Sequence, residues 1–160
     1  MKGNELVWAA LLGALALVPA ATTLADTHPH EHDATPRLSL DHGRQWATDA
    51  PLRQGMTRIR GIVEPQLGQV LAGSLDGAAY ARMASDIEAQ LAYIVGNCKL
   101  APDADAVLHA IIAQIGEGIA AMQADGGTHG QQGVANVVVA LNDYGEYFAH
   151  PGWQPVRGEH

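Results

Sequence analysis

The chain has 160 residues, 48% of them hydrophobic, and carries a formal net charge of −8. An acidic chain without a basic run is a poor partner for nucleic acid or an anionic membrane surface, so we expect neither. Cys98 is the only cysteine and cannot form an internal disulfide. It is therefore a small buried residue, a metal ligand or an intermolecular link, and burial is the common fate of a free cysteine.

Residues 1–25 have the pattern of a secretory signal peptide. Lys2 supplies the positive start, Leu6 to Val18 form an apolar run, and the stretch ending at Ala25 offers small residues to signal peptidase. The apolar run is shorter than the ~20 residues that a spanning helix needs, although a membrane anchor is the alternative. We therefore predict cleavage after Ala25 and a mature periplasmic chain without membrane attachment.

Residues 26–37 are rich in His, Pro, Thr, Asp and Glu and have almost nothing to bury. Such a composition predicts a disordered arm. Its three histidines, His28, His30 and His32, occupy alternate positions. This spacing raises the question of a metal ligand, because imidazole is a common donor to transition metals.

Cleavage after Ala25 would leave Asp26-Thr27-His28 at the new amino terminus. A free amine with histidine in third place binds Cu(II) or Ni(II) in a square plane, through the amine, two deprotonated backbone amides and the imidazole. His30 and His32 add nitrogen donors, and a site rich in imidazole without thiolate suits divalent ions. The sequence thus predicts a metal site at Asp26, Thr27, His28, His30 and His32, with copper as the preferred ion. The alternative is an arm whose histidines bind metal only incidentally.

Residues 38–160 contain four stretches of helical period. The first begins after the N-cap Asp49, tolerates Pro51 in its first turn, and is interrupted at Pro65. The second begins near Asp76 and the third at Pro102. Apolar residues recur at spacings of three and four. The predicted inner positions are Leu52, Met56, Ile59 and Val63; Tyr80, Met83, Ile87, Leu91, Ile94 and Cys98; Leu108, Ile111, Ile112, Ile115, Ile119 and Met122; and Val134, Val137, Val138, Leu141, Gly145 and Phe148.

No stretch shows sustained strand alternation, so we predict an all-α fold. Short connections between consecutive helices favour antiparallel neighbours, which gives an up-down-up-down four-helix bundle over residues 38–160. Counting outward from the connections places Met56, Ala92, His109 and Gly145 in one layer. A methionine and a histidine beside small residues are candidate ligands for a haem iron, so Met56 and His109 are the candidate haem site. Core methionines and a histidine at the edge of the apolar stripe, paired with Asp105 one turn earlier, would explain the same residues without haem.

The stretches "WATDAPLRQGM", "NCKLAPDADAVLH" and "YFAHPGW" resemble a family of small exported proteobacterial proteins. The resemblance covers the chain from about Leu40 onward and implies export and a His-rich segment after the leader. In architecture the chain is more distantly similar to soluble cytochrome b562 and cytochrome c′. In the b562 group a methionine of the first helix and a histidine of the last hold the haem. Met56 matches the former, whereas the last-helix stretch "NDYGEYF" has Gly145 where the histidine would stand.

No nucleophile–base pair, phosphate-binding loop or distinctive carboxylate pair is evident, so we do not expect an enzyme. The sequence favours a periplasmic helical protein that binds a divalent transition metal through its arm, as a buffer, carrier or sensor. Two alternatives remain open. One is a cofactor-free module that binds a protein partner in the cell envelope, and the other is a b-type haem protein.

Overall fold

The structure, a computed structural model, describes residues 37–124 and 127–157. The predicted signal peptide and residues 26–36 of the predicted arm lie outside the described residues, while Arg37 is described and exposed. All described residues belong to one compact unit. Across them the predicted all-α class is confirmed, because they form helices and no strand, with isolated bridges only at Asp41–Arg44 and Trp46–Phe148.

The helices begin where capping residues and prolines predict them. Asp49 accepts a hydrogen bond of 2.9 Å from the Leu52 amide, and Asp76 accepts one of 2.7 Å from the Ala79 amide. Pro65 lies in a 3₁₀ turn that interrupts the first helix, as expected for a residue without an amide hydrogen. The elements are α1 (Ala50–Val63), the 3₁₀ turn (Glu64–Gln66), α2 (Leu67–Leu71), α3 (Gly77–Asn97), α4 (Pro102–Ala124) and α5 (Gly127–Tyr147).

The predicted apolar stripes form the core. The four stripe residues of α1 (Leu52, Met56, Ile59 and Val63) are all 0% exposed. Leu91, Ile112 and Val138 are only half-buried and pack at the edge of the core. Cys98 is also half-buried, so the expected full burial is wrong. It is the C-cap of α3, where the chain leaves the helix in an extended conformation instead of continuing the buried stripe.

Glycines bring the helix backbones close together. A Cβ atom on Gly118 of α4 would lie 2.6 Å from the carbonyl oxygen of Gly133 in α5. A Cβ atom on Gly55 of α1 would overlap with the Ile94 side chain of α3. Such distances leave no room for a methyl group. The helices therefore pack closely where these glycines stand, with few large side chains between them.

Within the described residues, α4 is long and apolar enough to cross a membrane by length and composition alone. Its most apolar window has a mean hydropathy of 1.2, and 39% of that window is buried inside the protein. Ile111 and Ile115 of this helix are 0% exposed. The high hydropathy of α4 is therefore explained by its packing in the core of the helical domain.

Candidate functional site

The predicted metal ligands Asp26, Thr27, His28, His30 and His32 lie outside the described residues, and so do any contacts they make. Across residues 37–124 and 127–157, no group of three or more His, Cys, Asp or Glu side chains is arranged to hold a metal ion. The arm site therefore stays a prediction from the sequence.

The candidate haem ligands occupy different environments. Met56 is 0% exposed in the core, whereas the His109 side chain is 62% exposed. His109 Nδ1 lies 2.8 Å from the Asp105 carbonyl oxygen and 3.3 Å from Asp105 Oδ2, which orients the ring along the surface of α4. The predicted layer does not lie in the interior of the protein, because both His109 and Ala92 are exposed. Haem binding itself stays untested and draws no support from this geometry.

The space beside Gly145, the fourth member of that layer, is filled by the protein itself. A Cβ atom on Gly145 would lie 2.5 Å from both Cδ1 and Nε1 of Trp153. The indole also packs edge-on against Tyr144, with ring centroids 4.9 Å apart, and Arg60 lies over it at 5.6 Å. The glycine therefore makes room for a tryptophan.

The two ends of the described chain meet at the end of α5, and we call residues 38–49 and 148–157 the terminal clasp. Trp46 donates its amide to the Tyr147 carbonyl at 2.8 Å, and Ala149 donates its amide to the Trp46 carbonyl at 2.9 Å. The Thr48 hydroxyl donates to the Ala149 carbonyl at 2.7 Å. These bonds fix residues 38–49, which directly follow the predicted arm, to the helical core.

Tyr144 of α5 and His150 of the clasp, which is half-buried, form a polar pair. The Tyr144 hydroxyl lies 2.9 Å from His150 Nδ1, and Tyr144 is 0% exposed. Burial raises the pKa of Tyr144, so the hydroxyl keeps its proton and can donate it to the histidine. Burial, aided by the nearby Arg53 guanidinium, lowers the pKa of His150 and keeps its ring neutral.

Asp49 connects the start of α1 to the end of α3. Besides capping α1, its carboxylate accepts a 2.6 Å hydrogen bond from the Lys99 amide. Burial opposes ionisation of Asp49, but the hydrogen bonds from Lys99 and Leu52 outweigh it and lower the pKa of the carboxyl. The pKa of the adjacent Cys98 thiol shifts in the opposite direction, because burial and the Asp49 charge raise it to about 12. A thiol that stays protonated is a weak nucleophile and a weak metal ligand.

A second surface feature is an apolar groove between α2 and α5. It encloses a cavity of about 580 Å³. Two of its apolar side chains are exposed to solvent, Leu71 to 63% and Val139 to 49%. We call this feature the α2–α5 groove; its apolar lining consists of Leu67, Val70, Leu71, Val134, Ala135, Val138 and Val139.

Sequence reasoning missed both the clasp and the groove. The "HPGW" stretch enters the sequence analysis only through the resemblance, which implies no role for it. The tryptophans and the histidine within and beside the clasp were the available signal, because large aromatic residues outside a helical stripe need something to cover. Comparison of the chain with protein-family models, curated proteins and solved structures finds no match.

Proposed function

We propose that the mature protein is a periplasmic binder of a divalent transition metal, with copper as the preferred ion. The observation that carries this proposal is the order Asp26-Thr27-His28 behind a signal-peptidase motif. Two further histidines, His30 and His32, would hold the ion or a second one nearby. Tetragonal nitrogen coordination is the arrangement that Cu(II) prefers.

The helical domain would act as a fixed support for this site. Hydrogen bonds from Trp46 and Thr48 attach the segment that follows the arm to the end of α5. A metal bound on the arm would therefore stay close to the domain, as a carrier or buffer requires. No redox or catalytic step is part of the proposal.

We also propose that the helices alternate in direction, as an up-down-up-down antiparallel bundle. The short connections support this arrangement, since α4 ends at Ala124 and α5 begins at Gly127. The close approach of Gly118 to Gly133 also supports it, because these residues stand at similar distances from that connection. Nuclear Overhauser contacts between Ile111 and Leu141, which face each other in the register set by Gly118 and Gly133, would agree with antiparallel α4 and α5. Contacts between Ala104 and Gly130 would contradict it.

The test of metal binding is a Cu(II) titration of protein that begins at Asp26. We expect a visible d–d band typical of square-planar nitrogen coordination. His28→Ala should abolish that band, and so should one extra residue placed before Asp26, because histidine would no longer be third from the amine. Binding should weaken as the pH falls, since the amine, the amides and the imidazole all lose protons when they ligate.

His109→Ala is the matched control, because it removes an exposed histidine from the helical domain. The band should survive this substitution unchanged. If His109→Ala or Met56→Ala removes binding while His28→Ala leaves it intact, the site lies in the helices and the proposal fails. If no variant changes a weak binding, the histidines are an incidental arm.

The α2–α5 groove favours a second candidate function, the binding of a protein partner in the cell envelope. Apolar patches of this kind commonly mark interaction surfaces. The stretch from residue 100 to residue 156 contains no lysine or arginine, and the charged side chains of α5, Asp143 and Glu146, are acidic. The groove therefore suits an apolar segment, and Asp143 and Glu146, beyond Val139 on α5, would attract a basic flank at that end.

A fluorescent amphipathic peptide of leucine and lysine is a suitable probe for this groove. Val139→Glu should weaken its binding, measured by anisotropy, because the new charge would be buried against apolar side chains. Val95→Glu is the control, since Val95 is 66% exposed on α3 and does not line the groove. Equal losses in the two variants, or no binding to the unsubstituted protein, would rule out this use of the groove.

A further inference from the structure

His150 stands at a junction between three parts of the molecule. Its Nδ1 atom faces the Tyr144 hydroxyl of α5 at 2.9 Å. Its ring lies 5.0 Å, centroid to centroid, from the ring of Trp153, and its carbonyl oxygen accepts the Trp153 amide at 3.0 Å. A change at this imidazole therefore acts directly on the segment that covers α5.

Few charged groups surround this histidine. Arg53 of α1 is the charge that faces it, and Tyr144 is the titratable group of α5 in contact with it. Burial and the charges of Cys98 and Asp49 raise the pKa of Tyr144, whereas Arg53 is the charge that shifts the pKa of His150. Burial and Arg53 both oppose the positive charge that protonation of His150 would create.

We propose that the Tyr144–His150 pair is a pH-sensitive latch, which holds the terminal clasp closed at neutral pH and loosens it when His150 is protonated. The latch acts on residues 148–157 first and on residues 38–49 through the contacts between the two segments. It is a conformational device of the helical domain, and it does not depend on metal binding by the arm.

The chemistry of the pair supplies the mechanism. A neutral imidazole with its hydrogen on Nε2 offers the Nδ1 lone pair to the Tyr144 hydroxyl. A protonated ring carries hydrogens on both nitrogens, so Nδ1 would donate to the Tyr144 oxygen, and the buried hydroxyl hydrogen would be left without an acceptor. The planes of the His150 and Trp153 rings are tilted by 40°, so the indole face is not stacked against the imidazolium for a cation–π contact.

The Arg53 guanidinium extends the effect to the other half of the clasp. Its Nη1 donates to the Thr48 carbonyl at 2.7 Å and to the Thr48 hydroxyl oxygen at 3.0 Å. That hydroxyl in turn donates to the Ala149 carbonyl, one residue before His150. Repulsion between an imidazolium and Arg53 would therefore strain the hydrogen bonds that join the two segments.

The direction of the pH effect follows from burial and from Arg53, which both lower the pKa of His150 in the folded protein. The unfolded chain then takes up a proton more readily than the folded one. The stabilisation is complete above the ordinary histidine pKa of 6.5 and is lost as the pH falls from there through the lowered value. The clasp should accordingly open on mild acidification.

Hydrogen exchange measured by NMR at pH 7 and pH 5 tests the latch in the whole protein. Protection factors, corrected for intrinsic exchange, should fall several-fold at pH 5 for the Trp153 and Val156 amides and stay constant for Ala140 in α5. In His150→Asn the side-chain oxygen still accepts from Tyr144 and does not titrate, so the pH effect should disappear. His109→Asn, the control, should respond as the unsubstituted protein does.

A direct titration makes the test independent of any variant. The ring-carbon resonance of His150 and the indole resonance of Trp153 should change with the same midpoint in the unsubstituted protein. Different midpoints, constant protection of the clasp amides, or a pH response that survives in His150→Asn would each overturn the proposal.

Discussion

The close packing of α4 and α5 depends on the absence of a side chain at Gly118. The Cβ atom of Gly118→Ala would lie 2.6 Å from the Gly133 carbonyl oxygen and 2.7 Å from Val137 Cγ2. Backbone cannot move aside as a flexible side chain can, so we expect a loss of ~1–3 kcal/mol in the free energy of unfolding. Urea denaturation measures the loss.

Gly116→Ala, on the same helix, is the matched control for Gly118→Ala. Its new Cβ would meet nothing within 4 Å. Alanine is favoured over glycine within a helix by ~0.5–1 kcal/mol, so this variant should be neutral or more stable. Equal urea midpoints for the two variants would show that α4 and α5 are less tightly packed than described.

The Asp49 carboxylate stabilises two parts of the fold, because it accepts hydrogen bonds from the amides of Leu52 and Lys99. Asp49→Ala should therefore cost more stability than the ~1 kcal/mol typical of a lost N-cap. Asp76→Ala is the comparison, because Asp76 caps α3 through the Ala79 amide alone. Thermal unfolding that ranks the two variants in the opposite order would contradict this account of Asp49.

The stabilisation by Asp49 should also depend on pH. Its pKa lies below the ordinary value of 3.8 in the folded protein, so the unfolded chain binds the proton more readily. The contribution is complete above pH 3.8 and is lost as the pH falls through the lowered folded value. The difference in stability between the unsubstituted protein and Asp49→Ala should therefore shrink in acid, as urea midpoints at several pH values would reveal.

At the level of whole elements, one side chain of α5 holds the C-terminal part of the clasp. Asn142 Oδ1 accepts the Val156 amide at 2.8 Å, and Asn142 Nδ2 donates to the Val156 carbonyl at 3.3 Å. Val156 is only 3% exposed, so Asn142→Ala would leave its backbone groups unpaired in a buried place. We expect a loss of ~1–3 kcal/mol by urea denaturation.

Asn136→Ala, two turns earlier on α5, is the control for Asn142→Ala. Asn136 pairs only with Gln132, in an exposed i,i+4 hydrogen bond of 3.0 Å. Surface pairs of this kind contribute ~0.2–0.5 kcal/mol, so the variant should unfold almost as the unsubstituted protein does. A loss as large as that of Asn142→Ala would mean that helix propensity, and not the clasp, sets the effect.

The elements differ in how much of them the sequence predicts. The start of α1 at Asp49 and its interruption at Pro65 follow from local rules, because capping and the missing proline amide act within a few residues. The clasp escaped prediction since it joins Trp46 to Tyr147 and Ala149, residues distant in sequence, and periodicity carries no information about such pairs. The sequence anticipates the pairing of His109 with Asp105 but not how far the ring lies in solvent. A small error in the predicted direction of a helix face moves a residue from the core edge to the surface.

For the whole molecule, the predicted arm and the helical domain should be separable. Deleting residues 26–33 should leave the melting temperature almost unchanged, because the polar composition of that segment offers little surface to bury. Far-UV circular dichroism should stay dominated by helix in both forms. A large fall in the melting temperature would mean that the segment packs on the helices and is misinterpreted as an arm.

The binding of Cu(II) by the amino terminus is the central claim, and equilibrium dialysis tests it most directly. The measurement compares protein that begins at Asp26 with protein that begins at Leu38, both folded by circular dichroism. We predict that the longer form retains at least one equivalent of copper against a weak competing chelator and that the shorter form retains none. Equal retention by the two forms would place the copper in the helical domain and contradict the claim.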